Sequence, residues 1–228
     1  QATPENVDIH LLLGQILLRE QSLTPALASL EKAYDLSHIE GCGWPHPAHD
    51  QAALLYGQAL AQLGQYEHAR EVLVDLYTSP ELSETLLPEA ARHYAQVLLA
   101  LGEARAALQP LETALQLQPD QPDLHLVYAR TLLSLHQNPA QALVSVQKAL
   151  QADPESLEAQ GWMAAALDQV GQVLPAFQAY QQLLDTPLAK DPEWRARLSY
   201  GIGRTGLTLG KPELALAAVQ EAVQLVPG

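Results

Sequence analysis

Cysteine occurs once in the 228 residues, at Cys42, so no disulfide can form within the chain, and the lone thiol fits a reducing compartment. Aromatic residues make up only 5%, and no apolar run approaches the roughly 18 residues of a membrane-spanning helix. Basic residues are scarce as well: 12 Lys+Arg stand against 26 Asp+Glu, a net charge of −14. Such a balance argues against a nucleic-acid backbone or an anionic membrane as the main partner. Lysine is confined to Lys32, Lys148, Lys190 and Lys211, a preference for arginine associated with GC-rich bacterial genomes; the compartment expected is the bacterial cytoplasm. Gln1 stands where an initiator Met would, with no signal-peptide core behind it, so the start is expected to be trimmed or processed.

Catalytic signatures are missing too. No Gly-rich phosphate loop follows a strand, no nucleophile elbow occurs, and the GIGRTG of Gly201 to Gly206 lacks the length and context of a dinucleotide fingerprint. No enzyme activity, cofactor or metal is expected.

What is present is helical and periodic. In Pro88 to Gln121, Pro88 opens a helix where its missing N–H is harmless, and Glu89 suits the positive end of the helix dipole. Apolar residues then recur at three- and four-residue spacing: Ala91, Tyr94, Ala95, Leu98, Leu101. Gly102 marks a turn, and a second helical pattern follows through Ala107, Leu108, Leu111, Ala114 and Leu115 to a stop at Pro119. Small residues at Ala95, Ala107 and Ala114 would let two short helices cross closely. One hairpin cannot cover its own apolar face, so copies must stack on one another.

Tyr94-Ala95, Leu98, Gly102, Ala107, Leu111, Ala114 and Pro119 resemble the tetratricopeptide repeat, a 34-residue helix–turn–helix. Six copies are read, at about 7–40, 50–83, 88–121, 122–156, 157–190 and 196–228, forming one array. Residues 1–6 are expected to fray before the first helix. Extra residues fall around Ser79–Ser83 and Thr186–Trp194, and Gly206 stands where a larger residue is expected, softening its helix. Asp8, Glu89, Asp123 and Glu158 recur at one position and read as first-turn charge compensation.

The irregular stretch is 38–49, an inter-repeat loop. His38, Cys42, His46 and His49 are zinc-ligand types, but structural zinc sites pair close-spaced ligands across two elements. A surface loop whose Trp44 covers a core edge is the preferred reading.

The resemblance implies an all-α, right-handed superhelical solenoid of antiparallel helix pairs, the first helix of each pair lining a concave groove. It implies a non-catalytic scaffold or adaptor that binds a peptide segment there. Alternatives are a regulatory or docking domain of a larger, catalytic protein, and an array that self-assembles end to end. The apolar outer faces of the first helix (Ile9, Leu12, Ile16) and the last (Leu216, Val219, Val223, Val226) lead to the expectation of a piece of a longer protein or of buried ends. By resemblance, positions 2, 5, 9, 12 and 13 of each repeat face the groove. Five of the eight arginines fall there, Arg19, Arg92, Arg130, Arg197 and Arg204, beside Gln15, Gln58, Gln96, Leu126 and Tyr200. Arginine's planar fork grips carboxylates in pairs, so the ligand expected carries Asp, Glu or a terminal carboxylate. The reading to set against this is ordinary surface arginines.

Overall fold

The computed structural model describes residues 4–38 and 48–226. Most of the proposed 38–49 loop, with Cys42, Trp44 and His46, lies outside the described residues. At its flanks, the His38 and His49 rings meet edge-on at 4.4 Å, and Ser37 Oγ lies 2.8 Å from His49 Nδ1. Twelve α-helices and one 3₁₀ turn make up the described secondary structure, without a strand. They are α1 Pro4–Arg19, α2 Leu23–Ser37, α3 His49–Gln62, α4 Tyr66–Thr78, α5 Leu87–Ala100 and α6 Ala104–Leu117, then α7 Pro122–Ser134, α8 Pro139–Ala152, α9 Leu157–Val170, α10 Val173–Leu184, α11 Pro192–Thr208 and α12 Pro212–Leu225. Each odd helix packs on the even helix that follows it. None is long and apolar enough to cross a membrane.

The helices form two compact units, residues 1–119 and 120–228, each holding three pairs. The fifteenth residue of every repeat adopts a left-handed conformation, which turns the chain back on itself. Four are glycines, Gly64, Gly102, Gly171 and Gly210, while Gln21 and His136 take the same conformation with φ of 59° and 51°. This position needs a residue that tolerates positive φ, which is why glycine dominates it.

In the first unit the core is a ladder of small and branched side chains. Leu11, Leu30, Ala33, Ala52 and Ala59 form one buried cluster; Ala53, Leu54, Leu60, Ala69, Leu73, Leu76, Ala90 and Val97 form the next. The small residues let helices meet: a Cβ on Gly14 would fall 2.5 Å from Leu30, and one on Gly57 would fall 2.6 Å from Leu73. Ala95, Ala107 and Ala114 are fully buried, as the crossing of α5 and α6 requires. Polar ties join neighbouring pairs, with Arg70 on Glu103 at 2.9 Å and Tyr77 on Thr113 at 3.1 Å. The core of the second unit gathers Ala164, Ala176, Phe177, Tyr180, Leu183, Ala189, Leu198 and Ile202.

Two expectations need correction. The first helix begins at Pro4, not after residue 6, because Pro is suited to a helix's first turn; Asp8 therefore lies beyond that turn and compensates no first-turn charge. The last odd helix starts at Pro192, one turn before Ala196, because Asp191 caps it by accepting from the N–H groups of Glu193 at 2.8 Å and Trp194 at 3.1 Å. Gly206, the glycine expected to soften its helix, is buried inside α11, which runs to Thr208.

Candidate functional site

The extra turn of α11 matters because it carries Trp194. Its indole lies against α9 at Gly161, where a Cβ would sit 2.5 Å from Trp194 Cζ3. Trp194 meets Trp162 of α9 edge to face, with ring centres 5.3 Å apart. Trp162 is buried, and its indole N–H points to Glu158 Oε1 at 3.4 Å. The guanidinium of Arg197, one turn after Trp194, lies 5.2 Å from the Trp162 ring and 5.9 Å from the Trp194 ring. Both distances are within cation–π range, worth about 0.5–1 kcal/mol at an exposed site.

One further turn along α11, Gly201 makes room for the Tyr180 ring of α10, whose atoms lie 2.5 Å from the position of an added Cβ. Burial, and then the Asp168 carboxylate, push the Tyr180 hydroxyl far above its ordinary pKa. The Asp168 side chain is 7% exposed and accepts from Arg204 Nε at 3.0 Å and from Arg204 Nη2. Together these residues enclose a cleft of about 260 Å³, lined also by Leu133 and His136 at the end of α7, by Ala165 of α9 and by Tyr200 of α11. Gln169 of α9 donates to the Leu133 carbonyl at 3.0 Å, tying two of its walls together.

The charges in this cleft are unequal. Arg204 is matched by Asp168, and Arg130 stands 3.8 Å from Glu158. Arg197 makes no ion pair or hydrogen bond with any described residue, so the cleft keeps one uncompensated cation against an aromatic wall. Of the residues named from the sequence, Arg197, Tyr200 and Arg204 line this cleft, while Arg130 is engaged by the next repeat's first-turn acid. Trp162 and Trp194 do not emerge from groove positions alone. The signal that could have found Trp194 is the Asp-Pro at 191–192, a capping residue followed by proline at a helix start.

In the first unit, Gln58 and Gln96 line a separate hollow of about 290 Å³ with Gln62, Tyr66 and His93. Burial and the neighbouring Arg92 hold the His93 pKa below its ordinary value, so its imidazole is neutral near pH 7. Arg92 Nε is buried without a hydrogen-bond partner. Arg19 sits in the last turn of α1, where a cation suits the helix dipole. Among the described residues no three His, Cys, Asp or Glu side chains gather as a metal site would need.

Two glycines on α11 give a direct check of this geometry. Gly201→Ala is expected to lower stability by about 1 kcal/mol, since its methyl meets the buried Tyr180 ring. Gly206→Ala is expected to raise it by about 0.5–1 kcal/mol, because the added Cβ meets nothing nearer than Phe177 at 3.5 Å. Chemical denaturation of both variants measures the contrast; equal effects would mean that Tyr180 is not fixed against α11.

Comparison with known proteins agrees with the repeat. A tetratricopeptide repeat family model matches residues 94–156. No curated protein matches the sequence. Among solved structures, a tetratricopeptide repeat protein from Parabacteroides merdae superposes with a TM-score of 0.67 at 16% identity, over 96% of this chain and 80% of that one. A MamA structure gives 0.64 at 18% identity, over 82% of this chain and 94% of that one. YrrB, described as a tetratricopeptide repeat protein with an unusual peptide-binding site, gives 0.60 at 21% identity, over 77% and 86% of the two chains. The six helix pairs, the family match across the third and fourth repeats and the fold shared with solved structures identify the architecture as a tetratricopeptide repeat array.

Proposed function

We propose that this protein-interaction scaffold holds a peptide segment on the faces formed by the first helices of its repeats, and that the segment carries Asp, Glu or a terminal carboxylate. The first unit would contribute Arg19, Gln58, Arg92 and Gln96, and the second Arg130, Arg197, Tyr200 and Arg204. The observation that carries the reading is Arg197: a guanidinium seated on two indoles, facing a cleft, with no acid partner among the described residues. The peptide-binding site reported for YrrB, a structural neighbour, supports a peptide as the class of ligand. No reaction is proposed for the chain. The bacterial cytoplasm is its proposed compartment, on the single cysteine and the scarcity of lysine.

Peptides selected on the immobilised chain from a display library provide the test. Arg197→Ala is expected to weaken binding at least tenfold, as loss of a charge-assisted hydrogen bond should, with helicity and melting temperature unchanged. Binding by the parent should weaken as salt rises. Undiminished affinity in the variant would remove Arg197 from the site.

A second reading, end-to-end self-association, is favoured by the outer faces of α1 and α12. Ile9, Leu13 and Ile16 are 61%, 43% and 45% exposed, yet they stand at the repeat positions of Leu198, Ile202 and Thr205, all buried in α11. Leu216 and Val219 are likewise exposed at the positions of the buried Phe177 and Tyr180. Each face is one half of a junction that the chain builds internally. Sedimentation velocity should then show association with rising concentration that Leu216→Lys abolishes; a monomer at every concentration would dismiss this reading.

A further inference from the structure

We propose that the cleft of the second unit is a subsite for a carboxylate standing next to an aromatic ring, as in a carboxy-terminal aromatic residue or an aromatic residue beside Asp or Glu. This rests on the peptide-binding reading and names the part of the peptide that the second unit selects.

Two glycines show that the aromatic wall is built into the sequence. The repeat already has its own small position, occupied by Gly14, Gly57, Ala95, Ala129, Ala164 and Gly203. Gly161 and Gly201 fall outside it. Their missing side chains are what admit the rings of Trp194 and Tyr180, at 2.5 Å from where each Cβ would stand. Glycine is a poor helix former, and here it is spent at two positions of helix interior where the repeat asks for none. The result is a cleft with an aromatic wall and a cation held within cation–π range of it.

The charge arrangement selects the ligand's sign. Asp168 neutralises Arg204, so the carboxylate in the cleft is already occupied and cannot serve a cationic ligand. Arg197 is left as the guanidinium of the cleft without an acid partner among the described residues. Held within cation–π range of two indoles, the guanidinium keeps N–H groups that can grip a carboxylate with two parallel bonds. Beside it, Tyr200 is 59% exposed and the half-buried Ala165 adds apolar surface. A bare carboxylate would leave that surface wet, and a bare ring would leave the guanidinium unmatched. A volume of about 260 Å³ suits one bulky side chain together with its acid group.

The test uses the full chain carrying Trp44→Phe, so that emission excited at the indole band comes from Trp162 and Trp194 alone. The probes are N-acetylphenylalanine, its carboxamide, and acetate. N-acetylphenylalanine is expected to change the emission saturably at about millimolar concentration, as suits so small a ligand. The carboxamide and acetate should each bind at least tenfold more weakly. Arg197→Gln should abolish the response and Arg197→Lys should retain a weak one, with circular dichroism unchanged in both. Equal response to acid and carboxamide would overturn the assigned charge, and equal response to acetate would overturn the ring.

Peptides selected on the chain supply the second arm. Amidating a terminal aromatic residue should abolish binding if the source is a chain end, and leave it intact if the source is an internal pair. Peptides that bind the first helices of the second unit, yet lack a ring and ignore Arg197→Gln, would sink this subsite and leave the peptide reading standing. Probe binding as described, with no peptide bound, would sink the peptide reading and leave the subsite. Silence in both arms would overturn both.

Discussion

Leu111→Ala is expected to lower the stability of the chain by about 2–5 kcal/mol. Leu111 is fully buried in α6, beside Ala107 and Ala114, which are buried to the same degree. Removing its branched end takes away buried apolar surface and leaves a cavity. The neighbouring helices cannot close over that cavity without breaking contacts elsewhere in the ladder. In a repeat array, stability sums over neighbouring helix pairs, so the defect should weaken the first unit well before the second. Hydrogen exchange resolved by residue, together with urea denaturation, would show this. A loss under about 1 kcal/mol would mean that α5 and α6 are loosely packed there.

Ala107→Leu should act in the opposite sense of volume with the same sign, lowering stability by about 1–3 kcal/mol. Ala107 lies one turn before Leu111 and is also fully buried, in a helix that packs on α5. A leucine there must push the two helices apart or leave its preferred rotamer. Combining both substitutions restores total volume, so the double variant should lose less than the sum of the two if they share one space. A single variant that melts like the parent would place Ala107 off the helix contact.

The repeat was the most legible part of this molecule. Apolar spacing and the turn glycine predict a first helix from Pro88 to Leu101, and α5 runs from Leu87 to Ala100. Periodicity survives because every copy must bury the same face, and burial repeats in register with sequence. The proposed site was less legible. Groove positions are counted within a repeat, but partners come from a neighbouring one: Arg204 finds Asp168 of the repeat before it, and Arg130 finds Glu158 of the repeat after it. Spacing says where a guanidinium sits, not whether an acid one repeat away already holds it.

The residues around Thr186–Trp194 teach the same lesson. They read as an insertion because they break the 34-residue period. In the fold they form a 3₁₀ turn, Pro187–Lys190, and then an added helical turn capped by Asp191. That departure from the period is what delivers Trp194 to Trp162 and seats Arg197 on both. Gly161 and Gly201 could be noticed in the sequence as glycines inside helices, but the rings they admit lie on other helices and are seen only in three dimensions.

The most direct test of where the scaffold binds is to map a display-selected acidic peptide onto the chain by NMR. Shift changes are expected on the first helices of the repeats, strongest at the indole N–H groups of Trp162 and Trp194 and at the side chain of Arg197. Changes confined to the second helices, α8, α10 and α12, would contradict a ligand held on the first-helix face.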